Sequence, residues 1–204
     1  MVTGLFLFAL GIILNIRANI GFPPWDVFHV GLANTIGISI GLTSILVGIV
    51  VGIFVTILGE KFGIGMIFNM VLVGIYIDLI FPHVPTAQNN LTGVIMMLAG
   101  IIVVSVGSCL YLKSAFGAGP RDSLMVALAR RTKFPVGVCR GAIEATITVA
   151  GFFLGGMLGF GTAIFVVAIG FFIQITFKIF KFDPTAVKHE TIKETYLMLK
   201  NIKR

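Results

Sequence analysis

Six stretches of almost unbroken apolar sequence, at about 2–16, 42–59, 63–81, 91–112, 138–158 and 160–180, occupy most of the chain. Between them stand little more than polar or Gly/Pro-marked breaks. A helix needs roughly 20 mostly apolar residues to cross the hydrocarbon of a bilayer, and most of these runs come close to that length. With 57% hydrophobic and 11% charged residues, against about a quarter charged in soluble proteins, the 204 residues cannot hide their apolar surface in a water-soluble core. The expectation is an all-α, polytopic membrane protein of about six transmembrane helices, forming one domain over residues 1–180. The first run lacks a basic lead-in and a small-x-small cleavage site, so it reads as a retained helix and not as a signal peptide.

Cys109 and Cys139 are too few and too far apart for a disulfide framework or a metal site. They read as small membrane hydrophobes, and neither metal nor cofactor is expected. The net charge of +7 lies beside apolar spans, which points to orientation in a bilayer and away from nucleic acid. From Lys181 the composition turns polar, and Asp183-Pro184 reads as an N-cap followed by proline at the first helical position. Residues 184–202 therefore suggest a short surface helix in an amphipathic cytoplasmic tail, 181–204.

The halves of the chain repeat each other. Residues 11–81 align without a gap on residues 107–177, an offset of 96, and the matches include Gly21/Gly117, Pro24/Pro120, Asp26/Asp122, Gly41/Gly137 and Gly74/Gly170. Many of these residues set backbone geometry, which chance hydrophobic matching does not explain. Repeat one covers 2–81 and repeat two 91–180. Each holds three spanning runs, and an odd number makes the second copy enter the membrane from the opposite side, so inverted topology is expected. Charge agrees: Lys113, Arg121, Arg130, Arg131, Lys133 and Arg140 in repeat two face Arg17, Trp25, Asn34, Thr35, Gly37 and Ser44 in repeat one. The positive-inside rule puts the basic join of repeat two in the cytoplasm and the matched join of repeat one outside, with both termini cytoplasmic.

Each join carries a basic residue, Arg17 or Lys113, followed by G-x-x-P-x-D: Gly21, Pro24 and Asp26 in the first, Gly117, Pro120 and Asp122 in the second. Proline suits the first turn of a helix, and a carboxylate two residues on favours its positive end. The motifs thus start short helices at about 24–35 and 120–132, too short to span, and either re-entrant or interfacial. Asp26 and Asp122 either cap these helices or contact a substrate or ion, with Arg17 and Lys113 pairing with them or with headgroups. Trp25 reads as an interfacial anchor or, less simply, a stacking platform. His29 has no ligand-spaced partner. Asp78, an ionisable group inside a span, shares a helix face with Val71 and Gly74, and the copy has Val167, Gly170 and Gln174 there. That face either lines a cavity or packs a neighbouring helix. Asn69 and Tyr76 are further cavity candidates, and Glu144 an (i, i+4) partner of Arg140. The pairs Gly48/Gly52, Gly151/Gly155 and Gly155/Gly159 read as close-packing devices.

The element G-F-P-P-W-D-V-F-H-V-G-L at 21–32, followed by F-N-M-V-L-V-G-I-Y-I-D at 68–78, resembles the YczE/YitT-like family of bacterial integral membrane proteins, over nearly the whole chain to about Phe180. The resemblance implies a multi-pass protein of the bacterial cytoplasmic membrane and brings no catalytic residues. The chain departs from the pattern in lacking a basic lead-in at its N-terminus, and its second motif has Arg121 where the first has Trp25, which makes the site asymmetric.

Two functions are consistent with these features. Inverted repeats with broken-helix motifs are the plan of a small secondary transporter or exporter, with Asp26 and Asp122 orienting substrate and Asp78 carrying a proton or cation. The alternative is a non-transporting accessory or scaffold protein that recruits a partner through its basic cytoplasmic face. No Ser/His, paired-Asp or metal set is placed for catalysis, so an enzyme is not expected. The expected partners are the lipid bilayer, a small-molecule or ion substrate and a second copy of the chain.

Overall fold

The computed structural model describes residues 1–60 and 63–182. These form eight α-helices and one 3-10 turn, with no strand among them: α1 (Val2–Arg17), α2 (Pro24–Ile36), α3 (Ile40–Ile57), α4 (Ile64–Ile80), the turn Phe81–His83, α5 (Asn90–Leu112), α6 (Pro120–Thr132), α7 (Val136–Phe153) and α8 (Phe160–Ile179). The proposed tail helix at 184–202 lies outside the described residues.

Four segments are long and apolar enough to cross a membrane: Ile40–Ile57, Ile64–His83, Asn90–Leu112 and Phe160–Ile179. A fifth is obtained if Pro120–Thr132 and Gly137–Phe153 count as one span bent by 120°. The count is therefore four or five where six were expected. At 16 residues, α1 is roughly 24 Å long, short of a hydrocarbon core of about 30 Å. Helix α7 enters the count over Gly137–Phe153, together with α6. Outward faces are apolar throughout, as at Val50, Leu79, Leu91 and Val167, which is the surface a bilayer solvates.

Packing at the centre depends on small residues. Helices α1 and α5 run antiparallel in close contact: a methyl group at Gly4 would strike the backbone of Gly107 and Tyr111, and one at Gly11 the backbone of Gly100 and Val104. In lipid, where apolar burial does not drive helices together, this close approach supplies the dispersion contact that holds the pair. Leu5, Ile12, Ile13, Met97, Ile101 and Val104 complete the buried core between them.

Helix starts and turns recur at the repeat offset. Gly21 and Gly117 have φ of 119° and 125°, Gly59 and Gly155 φ of 87° and 88°, and α2 and α6 both end on a left-handed residue, Gly37 and Lys133. Cross-contacts recur too. The Gly161 N–H donates to the Ile20 carbonyl at 2.8 Å, and the Gly65 N–H to the Phe116 carbonyl at 2.7 Å. Thr35 Oγ1 donates to the Leu154 carbonyl at 3.2 Å, and Arg131 to the Leu58 carbonyl at 3.4 Å. Each half thus grips the other: α2 lies on α7, and α6 on α3.

Candidate functional site

The short helices α2 and α6 place their first turns at the centre of the molecule. The backbone leading into α2 is buried from Ile20 to Pro24, and so are Gly117, Gly119 and Pro120 ahead of α6, whereas the far ends, Ile36 and Thr132, are exposed. Non-helical backbone can lie at such depth only where protein covers it. Here each approach docks on the first turn of a helix from the other half, through the Ile20 and Phe116 carbonyls described above. Proline at the first helical position removes a donor that would otherwise lack a partner.

The two N-termini open into one cavity of about 280 Å³. Equivalent positions of the two halves line it: Ile12 and Ser108, Asn15 and Tyr111, Pro24 and Pro120, Trp25 and Arg121, Asp26 and Asp122, Ser44 and Arg140, Gly48 and Glu144, Asn69 and Phe165, Val73 and Ile169. One side is small and polar, the other large and charged, because Ser44 and Gly48 on α3 are matched by the bonded pair Arg140–Glu144 on α7, at 2.9 Å.

The charged groups are distributed unevenly. Asp122 accepts a hydrogen bond from the Tyr111 phenol at 2.7 Å, and Asp26, buried, lies 3.5 Å from His29 Nδ1. Neither carboxylate caps its helix through its side chain. The Arg121 guanidinium lies 4.7 Å above the Trp25 ring and 3.3 Å from His29 Nδ1. No carboxylate among the described residues lies within 4.0 Å of it. Two further groups on this wall lack partners: the buried Trp25 Nε1, and both amide atoms of Asn15, which has no exposed surface.

Of the residues singled out from the sequence, Trp25, Asp26, Asp122, Asn69, Pro24 and Pro120 line the cavity. Trp25 is buried, with the Arg121 guanidinium over its ring. Gly21 and Gly117 supply the positive-φ turns before the two helices. Arg17, Lys113, Asp78, Gln174 and Tyr76 lie elsewhere. Arg17 points away, donating to Thr86 Oγ1 at 2.8 Å and the Phe81 carbonyl at 2.7 Å, and covers the Phe81 ring. It therefore ties down the link between α4 and α5. Lys113 is exposed. Asp78 receives the Ser39 hydroxyl at 2.5 Å and the Gly41 N–H at 2.8 Å, which closes the start of α3 against α4. Its counterpart Gln174 is exposed. Sequence reasoning missed Asn15, Tyr111 and the role of Arg121; the exchange of Trp25 for Arg121 at matched positions was the signal for the last.

The equivalent glycine faces differ. A methyl group at Gly41 would fall on the Gly74 carbonyl and the Asp78 carboxylate, and one at Gly74 on Ile45 and the Gly41 carbonyl. At Gly137 and Gly170 no atom of the described residues lies within 4 Å. Helices α3 and α4 are zipped together along this face; the same face of α7 and α8 is open.

These features define a polytopic helical membrane protein with a central cavity lined by both apolar and charged side chains. The chain belongs to the family of unknown function DUF6198, whose model matches residues 1–178. It is 34% identical over 176 residues to the uncharacterised membrane protein YczE of Bacillus subtilis (strain 168), covering 85% of this chain and 81% of that protein. An uncharacterised protein of Haemophilus influenzae is 31% identical over 175 residues, covering 83% of this chain and 80% of the relative. The uncharacterised protein YyaS of Bacillus subtilis is 28% identical over 191 residues, covering 91% and 92%. No solved structure matches.

Proposed function

We propose that the protein is a small secondary transporter of the cytoplasmic membrane, built from two inverted repeats that rock about the central cavity. The observation that carries this reading is the unequal state of two faces that share matched glycines. Gly41 and Gly74 are packed tightly, whereas Gly137 and Gly170, the same residues in the other half, face open space. A symmetric scaffold has no use for small residues that touch nothing, but a carrier that alternates between two states closes one such seam while it opens the other.

Three further facts support inversion. Equivalent helices α1 and α5 cross antiparallel, with Gly4 on Gly107 and Gly11 on Gly100, as a two-fold axis in the membrane plane requires. Trp25 and Arg121 hold equivalent positions and touch, as residues beside such an axis would. The half-helices enter from the two halves and end at one cavity. Both termini are then cytoplasmic. The second reading, a partner-recruiting scaffold, draws on the basic residues of α6, where Arg130 and Arg131 are exposed or nearly so.

Cysteine accessibility separates the two. In a Cys109→Ala, Cys139→Ala background, Ser44→Cys and Ser108→Cys place single thiols on the cavity wall. A carrier exposes each thiol to an impermeant reagent from both sides of the membrane, and a Gly137→Cys/Gly170→Cys cross-link abolishes labelling from one side. Labelling from one side only, unchanged by the cross-link, would leave the scaffold reading.

A further inference from the structure

We infer that the cavity binds the carboxylate group of a compact, partly apolar organic acid, with Arg121 as the residue that recognises it. The inference rests on the transporter reading of the same cavity, but binding can be measured without transport. Among the charged groups lining the cavity, Arg140 is neutralised by Glu144, Asp122 is held by Tyr111 and Asp26 faces His29. Arg121 alone among the described cavity-lining cations has no carboxylate within reach. A guanidinium carries five donors in a planar fork that matches a carboxylate bidentately. The ring of Trp25 on one side and the imidazole of His29 on another hold that fork in place, while the carboxylates of Asp26, Asp122 and Glu144 act on it only from beyond 4.0 Å.

The unpaired groups nearby are weighted toward donors. Trp25 Nε1 is buried and unbonded, and the Asn15 amide has both its NH₂ and its oxygen free. A buried donor without a partner is unfavourable, so a group bringing acceptors is favoured. The N-termini of α2 and α6 add partial positive charge at the same place, although Asp26 and Asp122 in their first turns offset it. Apolar side chains, Ile12, Val104, Phe165 and Ile169, form the rest of the wall. At about 280 Å³ the space lies at the lower end of ligand pockets, roughly 300–1,000 Å³, which restricts the ligand to a few carbons beyond its head group.

The carboxylate could be that of a simple acid or of an amino acid, whose ammonium would face Asp26 or Asp122. The test uses the purified full chain in detergent and follows the thermal unfolding midpoint with a series sharing one carbon skeleton: 4-methylpentanoate, leucine, 4-methylpentanamide and 3-methylbutylamine, together with the straight-chain acids from acetate to hexanoate and their amides. At about 100 times Kd, a carboxylate should raise the midpoint by roughly 5–10 °C. Leucine alone succeeding identifies the amino-acid form, and simple acids the other. The rise, measured against each variant's own ligand-free midpoint, should vanish in Arg121→Gln, survive in part in Arg121→Lys, and be unchanged in Arg131→Gln, whose side chain reaches only the Leu58 carbonyl. Equal stabilisation by the amides or by the amine, persistence of the effect in Arg121→Gln, or no shift with any acid would overturn the inference. If cavity thiols label from one side only while acids still stabilise the protein, transport fails and carboxylate binding stands.

Discussion

The clearest consequence of the unequal seams is that one substitution should act oppositely at two matched glycines. At Gly41 an added methyl group falls on the Gly74 carbonyl and the Asp78 carboxylate, so α3 and α4 must move apart. Overpacking of this kind costs typically 1–3 kcal/mol. The separation also stretches the Gly41 N–H and Ser39 hydroxyl bonds to Asp78. Asp78 is exposed, so these bonds add only about 1 kcal/mol. Gly41→Ala should therefore lose about 2–4 kcal/mol, a fall of roughly 5–15 °C in the midpoint for a chain of this size. At Gly137 the same methyl group meets none of the described residues within 4 Å, and alanine is a better helix former by up to about 1 kcal/mol. Gly137→Ala should leave the midpoint unchanged or raise it by a few degrees. The assay is unfolding in detergent, monitored with a thiol-reactive fluorophore, since Cys109 and Cys139 are both buried until the chain opens. Equal losses at the two positions would mean that α7 and α8 rest against each other as α3 and α4 do, and the asymmetry would have to be abandoned.

Other perturbations follow from single contacts. Gly11→Leu should prevent stable folding, because its side chain would have to occupy the backbone of Gly100 and Val104; a monodisperse protein with a wild-type midpoint would contradict the antiparallel α1–α5 seam. Tyr111→Phe removes the donor to Asp122 and should lower stability by about 1.5–3 kcal/mol, read as a midpoint shift that Asp122→Asn makes smaller in the double variant. Arg17→Ala frees the Phe81 carbonyl and Thr86, and faster proteolysis between α4 and α5 should be the result; unchanged cleavage there would show that the arginine does not hold this link.

Much of this architecture is local in origin, and the sequence by itself determined it. Apolar runs of near-spanning length require helices in a bilayer, whichever neighbours they have. Proline at 24 and 120 and glycine at 21 and 117 set the starts and turns of the short helices through backbone sterics alone, and the observed bounds, Pro24–Ile36 and Pro120–Thr132, fall where those residues put them. The (i, i+4) pair Arg140–Glu144 is equally local. Other contacts were decided only by tertiary structure. Arg121 meets Trp25 and His29 across more than 90 positions of chain, Asn15 is left with an unbonded amide, and Asp78 bonds Ser39 and Gly41 across the α3–α4 contact, because each outcome depends on how rigid helices come to rest on one another. The glycine seams show the limit most plainly. Gly41 and Gly74 match Gly137 and Gly170 in the repeat, yet among the described residues one pair is packed and the other open, and the side chains around them differ, with Ser39, Ile45 and Asp78 in one half and Pro135, Gly141 and Gln174 in the other. The glycines alone do not encode that difference, since it belongs to the relative position of whole helices.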